Sequence, residues 1–444
     1  MHPASLKDFA RDKKADRASL RLTLSQKYPP LPDPPSPSEA LKERLGSPSP
    51  PSNDWVDRQM IAALEAEAVD FLVTEDQGIR KKAKRIGLET RVLGVLDAVV
   101  VLEDLLDRSP NPPPAIRPVK AHAIDSSDPI LDSFRQDYPG FDSWLQRCKR
   151  QHRQAWIIDG LEGYLAALCI VKPEASSESP LSGKTLKICS FKVSDRYSGF
   201  RYGELLLKAV FDYAFNNRYE WLYVTAFEKH DKLMDLLREF GFEALGQTTH
   251  LGEIMMAKPL TRGLEPPHEE ALAYHIRRGP LHFRGDVSWF LVPIQPRYAS
   301  VLFPEASPQP SMFPGLHAFG NSIRKAYLCH APVRSLEPGS VIVFYRSQDL
   351  KSAIAIGVVE ATLRSSDPEE IAKAVARRTV YSLSEIRSLC RSEVLVVLFR
   401  QALIIDPSIS LGSLIGGAVF SRPPQSIMKI KEEGLTWLRK RLLR

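Results

Sequence analysis

The chain has 444 residues, of which 43% are hydrophobic and 25% charged, and its formal net charge at pH 7 is +7. This length exceeds what one hydrophobic core usually supports, so we expect two or three domains. The composition is that of a soluble globular protein and excludes a membrane-spanning one, because no apolar run approaches the roughly 18 residues that a span requires.

Cellular location and metal content follow from the start of the chain and from its cysteines. Segment 1–20 is polar and lacks the apolar stretch of a secretory signal, so we expect a cytoplasmic protein. The five cysteines include no CxxC motif and no Cys/His pair at metal-binding spacing. We therefore expect reduced thiols and no metal ligands.

Positive charge is concentrated near the C-terminus. Residues 320–444 contain 19 Lys and Arg against 11 Asp and Glu, a net charge of +8 that accounts for the whole excess of the chain. This imbalance indicates either a polyanionic partner or a solvated surface.

Three proline-rich or glycine-rich segments divide the chain, at Pro29–Ser52, Arg108–Pro118 and Thr261–His268. They predict domains at 1–110, 119–260 and 265–444. The first domain alternates helices and strands, which predicts an α/β unit with a parallel sheet. The predicted elements are a helix at Asp54–Ala68, a strand at Val69–Val73, a helix at Gln77–Ile86 and a strand at Arg91–Leu96.

Three carboxylates stand out in this first domain. Asp54 and Asp57 lie on one face of the first helix and Asp76 follows the first strand. The stretch 53–88 resembles the C-terminal half of a PIN domain, a metal-dependent ribonuclease fold, which implies that these acids hold Mg²⁺. The alternative is ordinary capping by Asp54 and Asp76. Because no strand bearing the first acid of that fold is visible, we expect a late start or a degenerate nuclease without activity.

The second domain is predicted to be mixed α/β with a strand, a glycine loop and a helix at its centre. Its predicted strands and helices are Ala155–Ile158, Tyr164–Val171, Thr185–Val193, helix Gly203–Asn216, Trp221–Ala226, helix Lys229–Phe240 and a last strand ending near Ala257. Gly199 and Gly203 precede the central helix, whose free N–H groups suit a pyrophosphate, and Arg201 could add a charge-assisted contact. A tight strand-to-helix turn is the alternative.

This order of elements resembles the GNAT acyltransferase superfamily, which implies an N-acyltransferase that uses acetyl-CoA. The resemblance implies that one strand pairs with the pantetheine arm, that the loop binds the pyrophosphate, that Tyr223–Thr225 belong to a splayed neighbouring strand, and that Gly241–Phe242 form the closing turn. The implied cofactor-binding residues are Ser190, Phe191, Lys192, Val193, Arg196, Gly199, Arg201, Tyr202, Gly203 and Glu204.

Two positions depart from the usual pattern of that superfamily. Arg201 stands where the loop usually ends in a small residue, and Leu237 stands where a tyrosine often protonates the departing thiolate. We therefore assign the general acid to Tyr223 or to water. Glu228 and His230 are the candidate bases, with His230 favoured for its near-neutral reference pKa, and a solvated turn is the alternative for both.

The third domain is predicted to be a small β-barrel with peripheral helices. It resembles the PUA-like barrels of the ASCH and EVE groups, which implies binding of RNA or modified nucleic acid. Tyr327, Phe344 and Tyr345 could form a stacking platform. The tail 437–444 is interpreted as an amphipathic helix or as additional basic surface. The predicted phosphate contacts are Arg324, Lys325, Arg346, Arg377 and Arg378.

The sequence therefore predicts a multidomain α/β protein with a partial PIN-like unit, a GNAT-like domain and a PUA-like β-barrel. The expected function is acetyl-CoA-dependent N-acetylation of an RNA-linked amine. Two alternatives stay open: a non-catalytic scaffold on nucleic acid, and an acetyltransferase of a protein or small amine.

Overall fold

The computed structural model describes residues 1–9, 11, 14–25, 28, 30–105, 116–160, 163–174, 181–197, 201–263, 265–266, 268–306, 322–375, 378 and 381–442. The chain divides into two compact units, Met1–Leu102 and Glu103–Arg444. None of the described helices is both long and apolar enough to cross a membrane.

The first unit is helical around a two-stranded sheet. Strands β1 and β2 pair in parallel, as the strand–helix–strand pattern predicts. Each strand has two residues, fewer than predicted. Strand β2 is shortened because helix α6 begins at Val95, inside the second predicted strand. The elements are α1 Ala4–Phe9, α2 Ala15–Ser25, α3 Glu39–Leu45, α4 Asn53–Glu65, β1 Leu72–Val73, α5 Gln77–Arg85, β2 Val92–Leu93 and α6 Val95–Leu105.

The second unit begins with a mixed seven-stranded sheet, which confirms the predicted α/β class. The elements are β3 Ile116–Lys120, α7 Asp132–Asp137, α8 Phe141–Arg150, β4 Gln154–Asp159, β5 Leu165–Glu174, β6 Thr185–Val193, α9 Tyr202–Asn216, β7 Trp221–Ala226, α10 Asp231–Glu239, β8 Glu243–Thr248 and β9 Ile254–Pro259. The strand order is β3-β4-β5-β6-β7-β9-β8. Only β6 and β7 pair in parallel among these described strands.

Two apolar clusters cover the two faces of this sheet. On one face, α9 contributes Leu206, Val210 and Ala214 to a cluster that includes Leu222 of β7. On the other, Leu145 of α8 packs with residues of β4 and β5. In β4, Trp156 and Ile158 belong to the first cluster and Ala155 and Ile157 to the second, so both faces of the sheet are buried at this strand.

The rest of the second unit contains a six-stranded sheet with strand order β11-β14-β13-β12-β10-β15. This order has two edges, so the described strands form an open sheet and the predicted closed β-barrel is wrong. Register shifts in β13 and β14 accompany the extra length of these two strands. The elements are α11 Ala271–Arg278, β10 Trp289–Ile294, α12 Pro296–Leu302, β11 Arg324–Cys329, β12 Val341–Arg346, β13 Ser352–Ser365, α13 Pro368–Val375, α14 Leu383–Leu389, β14 Val394–Ser410, α15 Leu411–Gly416, β15 Met428–Lys429 and α16 Glu432–Leu442.

Candidate functional site

The parallel strands β6 and β7 separate before they end. Their pairing starts at Thr185 and Trp221 and stops at Ile188 and Val224, whereas β6 continues to Val193. On its other side, β6 pairs with β5 along this whole continuation. The last residues of β6 therefore present a strand edge toward β7 that has no strand partner among the described residues. Such an edge can pair with an extended ligand through backbone hydrogen bonds.

Ser190 lies on this unpaired part of β6. The residue is 5% exposed, and its hydroxyl has no hydrogen-bond partner in the described part of the chain. Burying a hydroxyl without a partner costs free energy, so such a group in a native fold requires an explanation. A ligand with polar groups lying along β6 would provide the missing partner.

The loop that leads to α9 is described only at its two ends. Gly199 lies outside the described residues, and Arg196 lies in a 3₁₀ turn at Asp195–Tyr197. At the other end, Gly203 packs against α10, since an added Cβ would lie 2.8 Å from Leu236 Cδ2. Tyr202 is also buried, and burial raises the pKa of its hydroxyl to about 12.

Arg201 and Glu204 contact strand β11 instead of lining an open loop. Their side chains form an ion pair, Arg201 donates to the carbonyl of Arg324 at 3.4 Å, and Glu204 accepts the Arg324 N–H at 2.6 Å. The side chains of both residues are therefore engaged within the protein, whereas the predicted contact of the backbone N–H groups at the start of α9 with a pyrophosphate stays a prediction. The sequence could not show this, since Arg324 is more than 100 residues away.

A histidine–carboxylate pair lies just beyond the end of β7. His230 Nε2 is 3.0 Å from Asp137 Oδ2, and Lys229 pairs with the other carboxylate oxygen. Burial would raise the pKa of Asp137, but Lys229 and His230 outweigh it and the pKa is lowered. The His230 side chain is 38% exposed. If Nε2 carries the proton shared with Asp137, Nδ1 is left as a proton acceptor.

Three further residues join this pair, and sequence reasoning missed all three. The Tyr138 ring lies 5.4 Å from that of Phe227, which in turn lies 6.4 Å from the His230 ring. The Tyr138 hydroxyl donates to Glu253 Oε1 at 2.7 Å, and burial together with Glu253 raises the pKa of Tyr138. We call Asp137, Tyr138, Phe227, His230 and Glu253 the His230 cluster.

The other two predicted catalytic residues have different surroundings. Glu228 is exposed on the turn after β7. Tyr223 is buried in the paired part of β7, opposite Lys187 of β6, and the Lys187 ammonium lies 5.4 Å from its ring. Tyr223 therefore lies before the point where the two strands separate.

The basic residues predicted to contact nucleic acid are largely neutralised within the protein. Arg324, Arg378 and Arg400 all pair with the single carboxylate of Glu360, and Arg346 pairs with Asp349. Lys325 is fully buried and donates to the carbonyl of Leu302. Arg377 lies outside the described residues.

The predicted stacking platform is also corrected. Tyr327, Phe344 and Tyr345 are buried, and their rings pack against other aromatic side chains. No base could stack on them without opening this core. The tail forms helix α16, in which Leu435 and Leu438 are buried, as its amphipathic interpretation predicts.

Two of the three carboxylates predicted to bind a metal in the first unit, Asp54 and Asp57, form ion pairs with a lysine. The Lys82 ammonium lies 2.7 Å from Asp54 Oδ1 and 2.6 Å from Asp57 Oδ2. Asp76 caps α5 by accepting the Ile79 N–H at 3.1 Å. Among the described residues, no group of three or more His, Cys, Asp or Glu side chains could hold a metal ion.

Comparisons with known proteins bear on the second unit. Residues 122–242 match the model of the acetyltransferase (GNAT) family. No curated protein matches the sequence of this chain significantly.

Three solved structures illustrate the structural similarity. ASCH from Zymomonas mobilis is 18% identical, with 34% of this chain and 94% of that chain covered and a TM-score of 0.27. An acetyltransferase of the GNAT family from Staphylococcus aureus Mu50 is 12% identical, with 33% and 100% covered and a TM-score of 0.27. NAA60 of Arabidopsis thaliana in complex with a bisubstrate analogue is 14% identical, with 33% and 98% covered and a TM-score of 0.26. The family match and the split of β6 from β7 fall on the same stretch, and residues 122–242 therefore contain an acetyltransferase domain of the GNAT family.

Proposed function

We propose that this protein transfers an acetyl group from acetyl-CoA to a primary amine. The observation that carries the proposal is the separation of β6 from β7 after Ile188 and Val224, inside the residues that match the acetyltransferase family. This separation leaves a backbone edge for the cofactor and an opening through which an amine could approach it.

The residues present fit the pantetheine arm of acetyl-CoA. The arm carries amide groups that can pair with the backbone edge at residues 189–193 and can supply a partner for the orphaned Ser190 hydroxyl. When bound, acetyl-CoA supplies an activated acetyl thioester. We assign Ser190, Phe191, Lys192 and Val193 to the cofactor, and a backbone N–H among the last three to polarising the thioester carbonyl.

His230 is the base in this proposal. An amine must lose a proton to attack, and a neutral imidazole can accept it at Nδ1 while Asp137 holds Nε2. Asp137 is then a positioning residue that sets the tautomer and stabilises the imidazolium. Protonation of the departing thiolate is assigned to water, because Tyr223 lies buried before the strands separate.

Charge around the His230 cluster favours a cationic amine as the acceptor. Asp137 and Glu253 contribute two carboxylates against the ammonium of Lys229, and Glu228 lies exposed nearby in the sequence. The rings of Tyr138 and Phe227 can attract an ammonium through their faces. This surface would repel phosphates, so we favour the N-terminus or side chain of a protein, or a small amine, over an amine flanked by RNA phosphates.

Guidance by RNA stays a second proposal. Its support is the net charge of +8 over residues 320–444. The case for RNA contacts at Arg324 and Arg378 is weaker, because both guanidinium groups already pair with the carboxylate of Glu360. A non-catalytic scaffold is the third proposal, supported by Arg201 and Leu237 at positions where active relatives usually have other residues.

Mass spectrometry tests these proposals together. The purified full chain is incubated with acetyl-CoA and, separately, with total RNA, a peptide mixture or small polyamines. We expect a mass increase of one acetyl group on a peptide or polyamine, lost in His230→Gln and reduced in Asp137→Asn. The matched control is His250→Gln, an exposed histidine between β8 and β9, which should keep full activity. Acetyl-CoA binding by calorimetry without transfer to any acceptor would favour the scaffold.

A further inference from the structure

Positive charge collects on the acetyltransferase domain where helix α8 ends and strand β4 begins. Residues 143–158 contain three arginines and a lysine and no Asp or Glu, and residues 116–124, which include β3, also lack acidic residues. This surface was missed in the sequence, because its parts come from two separate segments. We call the following residues the α8 basic patch: Lys120, His122, Arg147, Arg150, His152 and Arg153.

Short contacts join the two segments of the α8 basic patch. Strands β3 and β4 pair with Lys120 opposite Gln154, and the Lys120 ammonium lies 3.1 Å from Gln154 Oε1. One step further along the chain, Nδ1 of His122 lies 3.1 Å from Nδ1 of His152. The end of β3 and the turn between α8 and β4 therefore form one continuous surface.

The cations of this patch have no carboxylate partner among the described residues. Lys120 and Arg153 donate to the neutral side chains of Gln154 and Gln151, the latter at 2.9 Å. Arg147 and Arg150 are exposed in the last turn of α8, where the helix carbonyls favour cations. This helix effect does not account for Lys120, which lies on β3, or for Arg153, which lies just before β4.

The two histidines add a hydrogen-bond donor to the patch. Both residues are exposed. With a single proton between the two Nδ1 atoms, the ring that accepts it carries its own proton on Nε2. His122 and His152 together therefore offer an N–H group that can donate to a carboxylate from outside the protein.

The other end of α8 lies beside the His230 cluster. The Phe141 N–H, at the start of α8, donates to the carbonyl of Tyr138 at 3.1 Å. The helix has 10 residues and is therefore about 15 Å long. The His230 cluster contributes the carboxylates of Asp137 and Glu253 at one end, and the basic patch lies at the other. Opposite charges are thus separated by about the length of one short helix.

We infer that the acceptor is a protein segment in which the reactive amine is followed by acidic residues that bind the α8 basic patch. The amine lies at the His230 cluster, and an extended chain covers about 15 Å in four or five residues. The acidic residues are therefore expected from about the fifth position after the amine. This inference rests on the proposed function and names the substrate class of the same site.

Acetylation of synthetic peptides by the full chain tests this inference. The peptides have ten residues and a neutral Gly/Ser background, with the amine at the N-terminus in one set and on the first-position lysine of an N-terminally blocked set. One member carries glutamates at positions 5–7, a second carries glutamines there, and a third carries the glutamates at positions 2–4. Mass spectrometry gives the rate of acetyl transfer to each peptide.

Glutamates at positions 5–7 should raise kcat/KM about fivefold over glutamines, through KM, because exposed charge pairs each contribute little. The advantage should shrink as NaCl is raised. Glutamates at positions 2–4 should give no advantage, since they would lie near Asp137 and Glu253. Equal rates for the glutamate and glutamine peptides would overturn the inference.

A double variant assigns the preference to the patch. Arg147→Gln with Arg150→Gln should abolish the preference for glutamates at positions 5–7. The matched control is Lys84→Gln with Arg85→Gln, which removes two exposed cations from the last turn of α5 and should keep the preference. A preference that survives in the first variant would overturn the assignment to the α8 basic patch.

Binding measured without acetyl-CoA separates this inference from the proposed function. If no peptide is acetylated, the proposed function fails, and fluorescence anisotropy of the labelled peptide with glutamates at positions 5–7 still tests the patch. Weaker binding to the Arg147/Arg150 double variant than to the wild type supports the patch, and equal binding overturns it. Tighter binding of a ten-nucleotide oligouridylate than of the peptide, lost in the same variant, would identify a nucleic-acid surface and overturn the peptide assignment.

Discussion

The carboxylate of Glu204 accepts a hydrogen bond from the backbone N–H of Arg324 at 2.6 Å, which joins the first turn of helix α9 to the edge strand β11. Glu239, which lies near the end of α10 in the same domain as Glu204, pairs with the side chain of Arg324. Helices α9 and α10, which flank the proposed acetyltransferase site, therefore both contact Arg324 of the C-terminal sheet. The position of α9 therefore depends on its contact with β11.

Glu360 should be the most sensitive position in this contact region. Replacing Glu360 with Gln leaves Arg378 and Arg400 without a carboxylate in a buried setting, and it leaves Arg324 with Glu239 alone. Breaking such a network costs about 3–5 kcal/mol, because the remaining charges stay buried. Urea denaturation measures the loss of unfolding free energy. The control is Glu393→Gln, which removes an exposed partner of Arg364 and should cost less than about 1 kcal/mol. Equal losses in both variants would contradict this.

Gly241 allows α11 to approach the acetyltransferase domain. Its φ is +82°, and a Cβ built there would overlap the carbonyl oxygen of Ile276 and lie 2.9 Å from Lys258 Nζ. Gly241→Ala should therefore cost the left-handed penalty of about 1–2 kcal/mol and a further steric term. Gly252→Ala is the matched control, with φ at +81° and no atom within 4 Å of the added Cβ. Thermal unfolding should place Gly241→Ala clearly below Gly252→Ala, and identical melting temperatures would refute the steric argument.

Local pattern predicted the centre of the acetyltransferase domain well. Strands Thr185–Val193 and Trp221–Ala226 match the prediction residue for residue, and the helix between them differs by one residue at its start. Strand β3 was missed because it begins inside the proline-rich segment Arg108–Pro118, which indicates a break. Pro118 is tolerated there because β3 is an edge strand of the sheet.

Features that depend on partners distant in sequence were not predictable. Asp137 is 93 residues from His230, and Glu360 is 36 or more residues from the arginines on β11 and β14. A sequence shows that an arginine is charged but not which carboxylate neutralises it. The alternation of residues along a strand likewise does not specify whether a sheet closes. The sequence therefore could not distinguish a barrel from an open sheet.

Magnesium should have no catalytic role in the first unit. The Lys82 ammonium already lies within 2.7 Å of both Asp54 and Asp57, so a cation there would have to displace an ion pair. Incubation of labelled RNA with the full chain and MgCl₂ should give no specific cleavage, and Asp76→Asn should change nothing, since Asp76 caps α5. Specific cleavage that disappears in Asp76→Asn would show that the carboxylates do bind a metal.

His275 should make the second unit sensitive to acid. Burial and the nearby Arg400 lower its pKa from 6.5 to about 3. Between these values the unfolded chain binds one proton more than the folded protein. The contribution of neutral His275 to the free energy of unfolding is therefore fully present above pH 6.5. It falls by about 1.4 kcal/mol per pH unit as the pH drops toward 3.

His275→Asn removes this titration while keeping a donor for the carbonyl of His282, which His275 Nδ1 contacts at 3.3 Å. The urea midpoint of this variant, measured from pH 4 to pH 7 in buffers without phosphate, should depend less steeply on pH than that of the wild type. The difference in slope should correspond to about one proton bound on unfolding. Gln401 and His275 line the same small cavity, and Gln401→Leu removes no titrating group, so it can shift the midpoints but should keep the wild-type slope. If the His275→Asn curve runs parallel to that of the wild type, the buried imidazole is not the source of the acid sensitivity.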